Sequence, residues 1–209
     1  MNIEENITRK SDLINNESLS AYGNFVAQQN HNAFKRFYKF LETDRPSRIL
    51  EIGTGLGGLT RFLDLCVKEL KLDTKIISFD VNECSWHQEM VDDGIDVRIE
   101  NIFSEDYSHI DETIVNFIQE EGLTIVLCDG GDKTSEFNCI SKHLKVGDII
   151  MAHDFAPNRQ YFENYMNRKI WNWMEIQDSD IDECCEKEKL VPYMEGEFLS
   201  VAWVCKRKE

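Results

Sequence analysis

The stretch RILEIGTGLGGLTRFL, residues 48–63, decides how this chain is read. Four glycines, Gly53, Gly55, Gly57 and Gly58, stand between an apolar run and a second apolar pattern of helical period. Glycine loses more backbone freedom on folding than any other residue, so a cluster of them marks a place where something approaches the main chain closely. RILEI (48–52) predicts a short buried strand, and LTRFLDLCVKELK (59–71) an amphipathic helix. In α/β sheets a strand, a glycine turn and a helix in this order receive nucleotide-like ligands, at the carboxyl ends of the strands where strand order reverses.

Outward from that stretch the rhythm repeats. Strands are predicted at KIISFDV (75–81), IDVRIEN (95–101), LTIVLCDG (123–130) and DIIMAHDF (148–155). Helices are predicted between them at 85–94, closed by Gly94, at 108–122, closed by Gly122, and at 135–148. Steady alternation means a parallel sheet covered on both faces. Before it, residues 1–20 are rich in Asn, Glu and Ser and read as loose or partly helical. Residues 21–41 predict a helix carried by Phe25, Phe34, Phe37, Tyr38 and Leu41, broken at DRPS (44–47). After Phe155 the rhythm changes: 159–176 reads as a helix running into a strand, 177–189 as a solvated loop or short helix, and 197–207 as a final strand. The expected organisation is an N-terminal helical extension, 1–45, and one α/β domain, 46–209.

A chain of 209 residues with 42% apolar side chains can bury a real core. Lys plus Arg is 23 against 39 Asp plus Glu, a formal charge of −16 that repels phosphate backbones and anionic lipid, so neither nucleic acid nor membrane is expected as a partner. The basic run 206–208 reads as a solvated tail. Seven cysteines, an odd number without a CxxC pair, argue against a disulfide framework or zinc site, and Cys128 and Cys205 sit in strand-like apolar runs. The polar, acidic start does not read as a targeting peptide, and no 18-residue apolar run is present. A cytoplasmic location is expected.

The glycines alone leave the ligand open. Gly53, Gly55 and Gly58 satisfy GxGxxG, and Gly53, Gly55 and Gly57 satisfy GxGxG, so a nicotinamide dinucleotide and S-adenosylmethionine both remain. Glu51, two positions before Gly53, places a carboxylate where a ligand's ammonium could meet it, directly or through water, and where phosphates would be unwelcome. Asp80 ends the second predicted strand 22 residues after Gly58, placed to accept bonds from ribose hydroxyls. Asn101, Ile102 and Phe103 follow the third strand and could flank an adenine ring. A plain strand–loop–helix junction with its acids in solvent is the alternative.

In this order and spacing, ILEIGTGLGG, ISFDVNE and VLCDGG resemble the class I S-adenosylmethionine-dependent methyltransferases, over about residues 45–155. The similarity is to the catechol O-methyltransferase type and to the group related to cephalosporin hydroxylase and rhamnosyl O-methyltransferase. The resemblance implies a three-layer Rossmann-like methyltransferase fold whose seven-stranded, mostly parallel sheet ends in an antiparallel edge strand. It implies a cofactor set of Glu51, Gly53, Thr54, Gly55, Gly57, Asp80, Val81, Asn101, Ile102 and Asp129.

Adjacent ends of the fourth and fifth strands would bring Asp129 to His153 and Asp154, a candidate site for a divalent ion, Mg2+ or Mn2+. By analogy with those families Asp129 and Asp154 are ligands; N-capping or loop hydrogen bonding is the alternative for both. His153 departs from the families' usual acid, and an imidazole there is either a ligand that favours Mn2+ or Fe2+ or a base. Lys133 stands where catechol-type enzymes keep a catalytic lysine, though one residue farther from the aspartate, and a surface lysine opening a helix reads equally well.

The function implied is metal-assisted O-methylation of a small-molecule hydroxyl of a sugar, polyol or catechol kind, with a homodimer possible. Its substrate walls would come from residues 22–38 and from Tyr161, Phe162, Tyr165, Trp171 and Trp173. The rivals are a nicotinamide-dependent oxidoreductase and a non-catalytic scaffold.

Overall fold

A strand covered on both faces is mostly apolar, and Arg48–Ile52, Thr124–Cys128 and Ile149–Ala152 are buried along their whole length, with Arg48, Glu51 and Thr124 as the polar exceptions. Alternate residues point to opposite sides. Ile49, Ile125, Leu127 and Met151 belong to one core, and Leu50, Val126, Cys128 and Ile150 to the other. The computed structural model describes residues 7–9, 20–22 and 25–209. Its elements in chain order begin with β1 (Ile7–Arg9), β2 (Ser20–Tyr22), β3 (Phe25–Ala27), α1 (His31–Asp44), β4 (Arg48–Ile52), α2 (Gly58–Glu69), β5 (Lys75–Asp80), α3 (His87–Asp92) and β6 (Asp96–Ile99). There follow α4 (Glu112–Gln119), β7 (Thr124–Cys128), α5 (Lys133–Ser141), β8 (Ile149–Ala152), the single turn α6 (Arg159–Tyr161) with a π-type turn over Phe162–Met166, α7 (Asp178–Glu188), β9 (Leu190–Pro192), α8 (Glu195–Leu199) and β10 (Val204–Lys208).

The main sheet has seven strands in the order β6-β5-β4-β7-β8-β10-β9. The first five run parallel, and β10 is antiparallel to both β8 and β9. The chain leaves β4 toward β5 on one side and returns to β7 on the other, so the switch point lies beside the glycine turn. Three short antiparallel strands, β1 to β3, form a second sheet. Among the described residues no helix is long and apolar enough to cross a membrane.

Three expectations change and a fourth narrows. The N-terminal helix begins at His31, with Asn30 accepting from the Asn32 amide as its cap, and residues 20–22 and 25–27 are strands. The looseness expected for residues 1–20 falls mostly outside the described residues. For 177–189, read as a loop or short helix, the helix is what forms: Asp178–Glu188 make the 11-residue α7, opened by a reciprocal Gln177–Asp180 capping box. The predicted last strand splits into α8 and β10. The basic run 206–208 is part of β10: Lys206 is buried, and Lys208 Nζ lies 2.8 Å from Glu188 Oε2. All seven cysteines are free thiols.

Candidate active site

Register places the site. Ile52 pairs with Phe79 on one side and Cys128 on the other, and Cys128 pairs with Ala152. Gly53, Asp129 and His153 therefore leave the sheet side by side at its carboxyl edge. Their amides continue the ladder: Gly53 donates to the Phe79 carbonyl at 2.8 Å, Asp129 to Ile52 at 2.8 Å and His153 to Cys128 at 3.1 Å. Gly53 has φ +91°, and a Cβ there would land inside the Asp129 carbonyl, so only glycine lets the two strand ends close up. Gly58 meets the Val26 carbonyl in the same way, which lets β3 cross the start of α2 and carries residues 27–29 to the strand ends.

A cleft of two lobes opens over this edge, both touching Gly53, Gly55, Asp129 and Gly130. The first lobe, 230 Å³, is lined by Gln29, Lys133, His153, Asp154, Trp171 and Trp173 among others. The second, 290 Å³, includes Asp80, Val81, Asn101, Ile102, Tyr107 and Glu136 in its walls. Asp80 Oδ2 accepts from the Gly55 amide at 2.8 Å and Oδ1 from Asn82 at 2.9 Å, and each oxygen keeps a second lone pair toward the cleft. Asn101 turns its Oδ1 to the Phe103 amide. Thr54 lines the first lobe.

Two residues of the expected cofactor set line neither lobe. Gly57 caps α2 in the left-handed region at φ +80°, a conformation that favours glycine, beside the flexible end of Met90. Glu51 is wholly buried beneath the turn, where its Oε2 accepts from Thr60 at 2.5 Å and Ser78 at 2.6 Å. Ser78 Oγ lies 2.7 Å from Thr54 Oγ1, so Glu51 holds the turn through a chain of hydroxyls. Its Oε1 is buried without a partner, and burial pushes the carboxyl up to about 7 against the two hydroxyl bonds.

Asp129, His153 and Asp154 converge, each offering an atom within 4.8 Å of the others. Asp129 Oδ1 lies 3.0 Å from His153 Nδ1, and its Oδ2 accepts from Gln29 Nε2 at 2.7 Å. Gln29 is held in turn by Trp203, whose Nε1 donates to Oε1 at 2.9 Å. The imidazole sits between Trp171 and Trp203, with ring centroids 4.7 and 4.8 Å away. With the Asp129 carboxylate facing Nδ1, the proton is assigned to that nitrogen, and Nε2, buried, has no partner. Burial lowers the His153 pKa, but Asp129 and Asp154 more than reverse this, and the net direction is up. Asp154 adopts φ +57°, a conformation that costs a non-glycine residue about 1 kcal/mol or more and collects at functional sites. Trp171 Nε1 donates to its Oδ1.

Lys133 is not a surface lysine. It is 6% exposed, and its Nζ lies 2.7 Å from Glu175 Oε2, 2.9 Å from Asp154 Oδ2, 3.0 Å from the Gly130 carbonyl and 3.9 Å from Asp129 Oδ1. Burial works to discharge it, yet Asp154, Asp129 and Glu175 prevail and its pKa rises. The expected role of Lys133 as base meets three acids that favour its charged form. Sequence reasoning does not single out Gln29, Glu136 or Glu175. Glu136 is buried, accepts from the Gly130 and Asp132 amides, and burial pushes it up to about 7. Of the aromatic residues expected as walls, Trp171 and Trp173 line the first lobe, while Tyr165 faces solvent.

No protein-family model matches the chain, and no curated protein matches it in sequence. Solved structures do match in shape. An apo structure of CmcI superposes with a TM-score of 0.58 at 14% identity, covering 87% of this chain and 72% of that one. A CmcI structure with Mg and SAM gives 0.56 at 15% identity, over 88% and 74% of the two chains. A Staphylococcus aureus protein assigned as a caffeoyl-CoA O-methyltransferase gives 0.55 at 10% identity, over 84% and 82%. The chain has the class I methyltransferase fold. Its seven-stranded sheet, antiparallel end and cleft at the switch point are those of that fold, and at these identities the likeness extends to architecture.

Proposed function

We propose that this chain is an S-adenosylmethionine-dependent methyltransferase acting on a hydroxyl of a small molecule. The observation that carries the reading is the set of strand ends that the register aligns. A glycine cradle that a Cβ would fill, Asp80 at one end of the cleft and an Asp129–His153 pair at the other frame one continuous space. The adenosyl part fits the second lobe, with Asp80 toward the ribose and Ile102 against the ring. The acceptor fits the first, between Trp171 and Trp173.

The cofactor supplies a methyl group on a sulfonium, electrophilic enough for direct in-line displacement. The chain's work is to align the acceptor, exclude water and take a proton. His153 Nε2 is the proton acceptor: Asp129 holds Nδ1–H and orients the ring, and the two indoles keep the free nitrogen dry. With the acceptor in the first lobe, Nε2 would take the hydroxyl proton as the methyl group is transferred. Lys133, bound to the Gly130 carbonyl, Asp154 and Glu175, fixes these groups around the acceptor lobe.

The families resembled imply a divalent ion at Asp129, His153 and Asp154. The residues converge, but the Lys133 ammonium already stands among them, 2.9 Å from Asp154 Oδ2 and 3.9 Å from Asp129 Oδ1, so the set as folded does not fit one. Asp129 Oδ1 and Oδ2 are engaged by His153 and Gln29, Asp154 Oδ1 and Oδ2 by Trp171 and Lys133. No step is therefore routed through a metal.

A nicotinamide dinucleotide would set its pyrophosphate on the amides that open α2, where a lysine or arginine would help hold it. Among the described residues Lys133 is the one lysine or arginine that lines either lobe, and it is paired with Asp154 and Glu175. Calorimetry with S-adenosylmethionine, S-adenosylhomocysteine and NAD+ tests the choice. Saturable binding of the first two is expected; binding of NAD+ alone would overturn it.

A further inference from the structure

We infer that the Lys133 ammonium occupies the cation position of this site, so that the chain binds no divalent ion there and transfers methyl groups without one. The inference deepens the reading of the same cleft and rests on it for the word "transfers", while the cation position stands on the geometry alone.

An ammonium has three hydrogen-bond donors and no acceptor. All three are used: Nζ meets the Gly130 carbonyl at 3.0 Å, Asp154 Oδ2 at 2.9 Å and Glu175 Oε2 at 2.7 Å, with Asp129 Oδ1 a fourth oxygen at 3.9 Å. Four oxygens about one buried positive centre is what a hard cation would ask of the same acids. The lysine arrives with the fold. It is the first residue of α5, whose start is fixed by Asp132 accepting from the Ser135 amide at 3.0 Å, so its stem rises directly from the loop that carries Asp129 and Gly130. Glu175 is delivered separately, by the segment whose amide bonds to the Asp154 carbonyl at 2.9 Å. That segment also carries Trp171, which engages the other Asp154 oxygen.

The net charge of the cluster favours a cation, and it is the position of the ammonium that leaves no place for a second one. Three carboxylates, Asp129, Asp154 and Glu175, surround one fixed positive charge. A divalent ion entering among them would have to displace the ammonium, break three of its bonds and take Asp154 and Asp129 from Trp171, Gln29 and His153. At separations of a few ångströms in a partly desolvated site, repulsion between two such cations is not screened. With its donors taken by the protein, the ammonium cannot grip two acceptor oxygens as a metal would.

The test is Mn2+ binding, followed by electron paramagnetic resonance and calorimetry, on wild type, Lys133→Met and Lys133→Arg, with circular dichroism to confirm folding. Wild type and Lys133→Arg should show no saturable Mn2+ at this site. Lys133→Met, which keeps the stem and removes the charge, should gain a site at least about tenfold tighter than any binding by wild type. In methyl-transfer assays wild type should keep its rate after chelator treatment, whereas Lys133→Met should be slow and recover with Mn2+. Saturable Mn2+ binding by wild type that is lost in Asp129→Asn would overturn the inference, and so would a folded Lys133→Met that gains none. If Lys133→Met does not fold, the wild-type titration decides alone. S-adenosylmethionine calorimetry on the same samples separates failure of this inference from failure of the methyltransferase reading.

Discussion

The substitution Glu51→Gln should make the protein's stability less dependent on pH. The carboxyl is wholly buried, and burial lifts its pKa from 4.5 to about 7 although Ser78 and Thr60 donate to it. In the unfolded chain the group ionises at its ordinary value. Between the two values the native state holds a proton that the unfolded state has released, so stability is greatest below the unfolded value and falls as pH rises through the folded one. The full difference corresponds to about 3.4 kcal/mol, of which about 2.5 kcal/mol falls between pH 5 and pH 8.

The carboxamide of the variant would keep an oxygen to accept from Ser78 and Thr60, and would put an amide nitrogen where Oε1 now lacks a partner. That leaves an unpaired group in both chains at low pH, so their stabilities near pH 5 should agree within about 1 kcal/mol. Near pH 8 the variant should be more stable by about 2 kcal/mol, since it has no proton to lose. Urea denaturation of both proteins at several pH values measures this, and Glu136, also pushed up to about 7, cancels in the comparison. Two parallel pH curves would refute the claim that Glu51 is neutral in the native protein. Glu51→Ala is the counterpart: it strands the hydroxyls of Ser78, Thr60 and, through Ser78, Thr54, and should lose both stability and cofactor affinity.

His153→Gln should lower methyl transfer by about 10²–10⁴-fold while S-adenosylhomocysteine still binds by calorimetry, and the wild-type rate should fall on the acid side with a midpoint above the ordinary imidazole value. Loss of binding with the rate would give the ring a structural role instead. Asp80→Asn keeps an acceptor for one of the Gly55 and Asn82 amides and removes the charge; cofactor affinity should fall about tenfold, the worth of a charged hydrogen bond, with the melting temperature little changed. Gly53→Ala sets a Cβ against the Asp129 carbonyl at φ +91°, so a loss of about 2–4 kcal/mol is expected in thermal or urea unfolding; a variant as stable as wild type would show that the strand ends can part.

Strands at the centre of the sheet were legible because burial on both faces writes them as mostly apolar runs, as in ILEI, where Glu51 is the exception, TIVLC and IIMA. The glycine turn was legible for the opposite reason, since missing side chains report where backbones touch. At the ends of the chain neither signal operates. Strands of three residues, such as 20–22 and 25–27, are too short to show a period, and aromatic residues at helical spacing overran the Asn30 cap. Near the carboxyl end the apolar run 198–205 crosses from α8 into β10. Its residues are buried in both elements, so hydropathy does not mark the change.

The site divides along the same line. Asp129, His153 and Asp154 could be placed from strand order alone, because adjacent parallel strands must deliver their carboxyl ends together. What those residues do depends on groups that arrive from elsewhere. Gln29 reaches Asp129 across 100 positions, and Glu175 reaches Lys133 across 42. No local pattern records either contact. The spacing of Lys133 from Asp129 is visible in the sequence, and by itself it suggests a lysine poised to give up a proton. With Asp154 and Glu175 set against the same ammonium the balance shifts, because each added carboxylate favours the charged form. The proposed route for the proton is then elsewhere: the free Nε2 of His153 is the buried nitrogen left without a partner at the cleft.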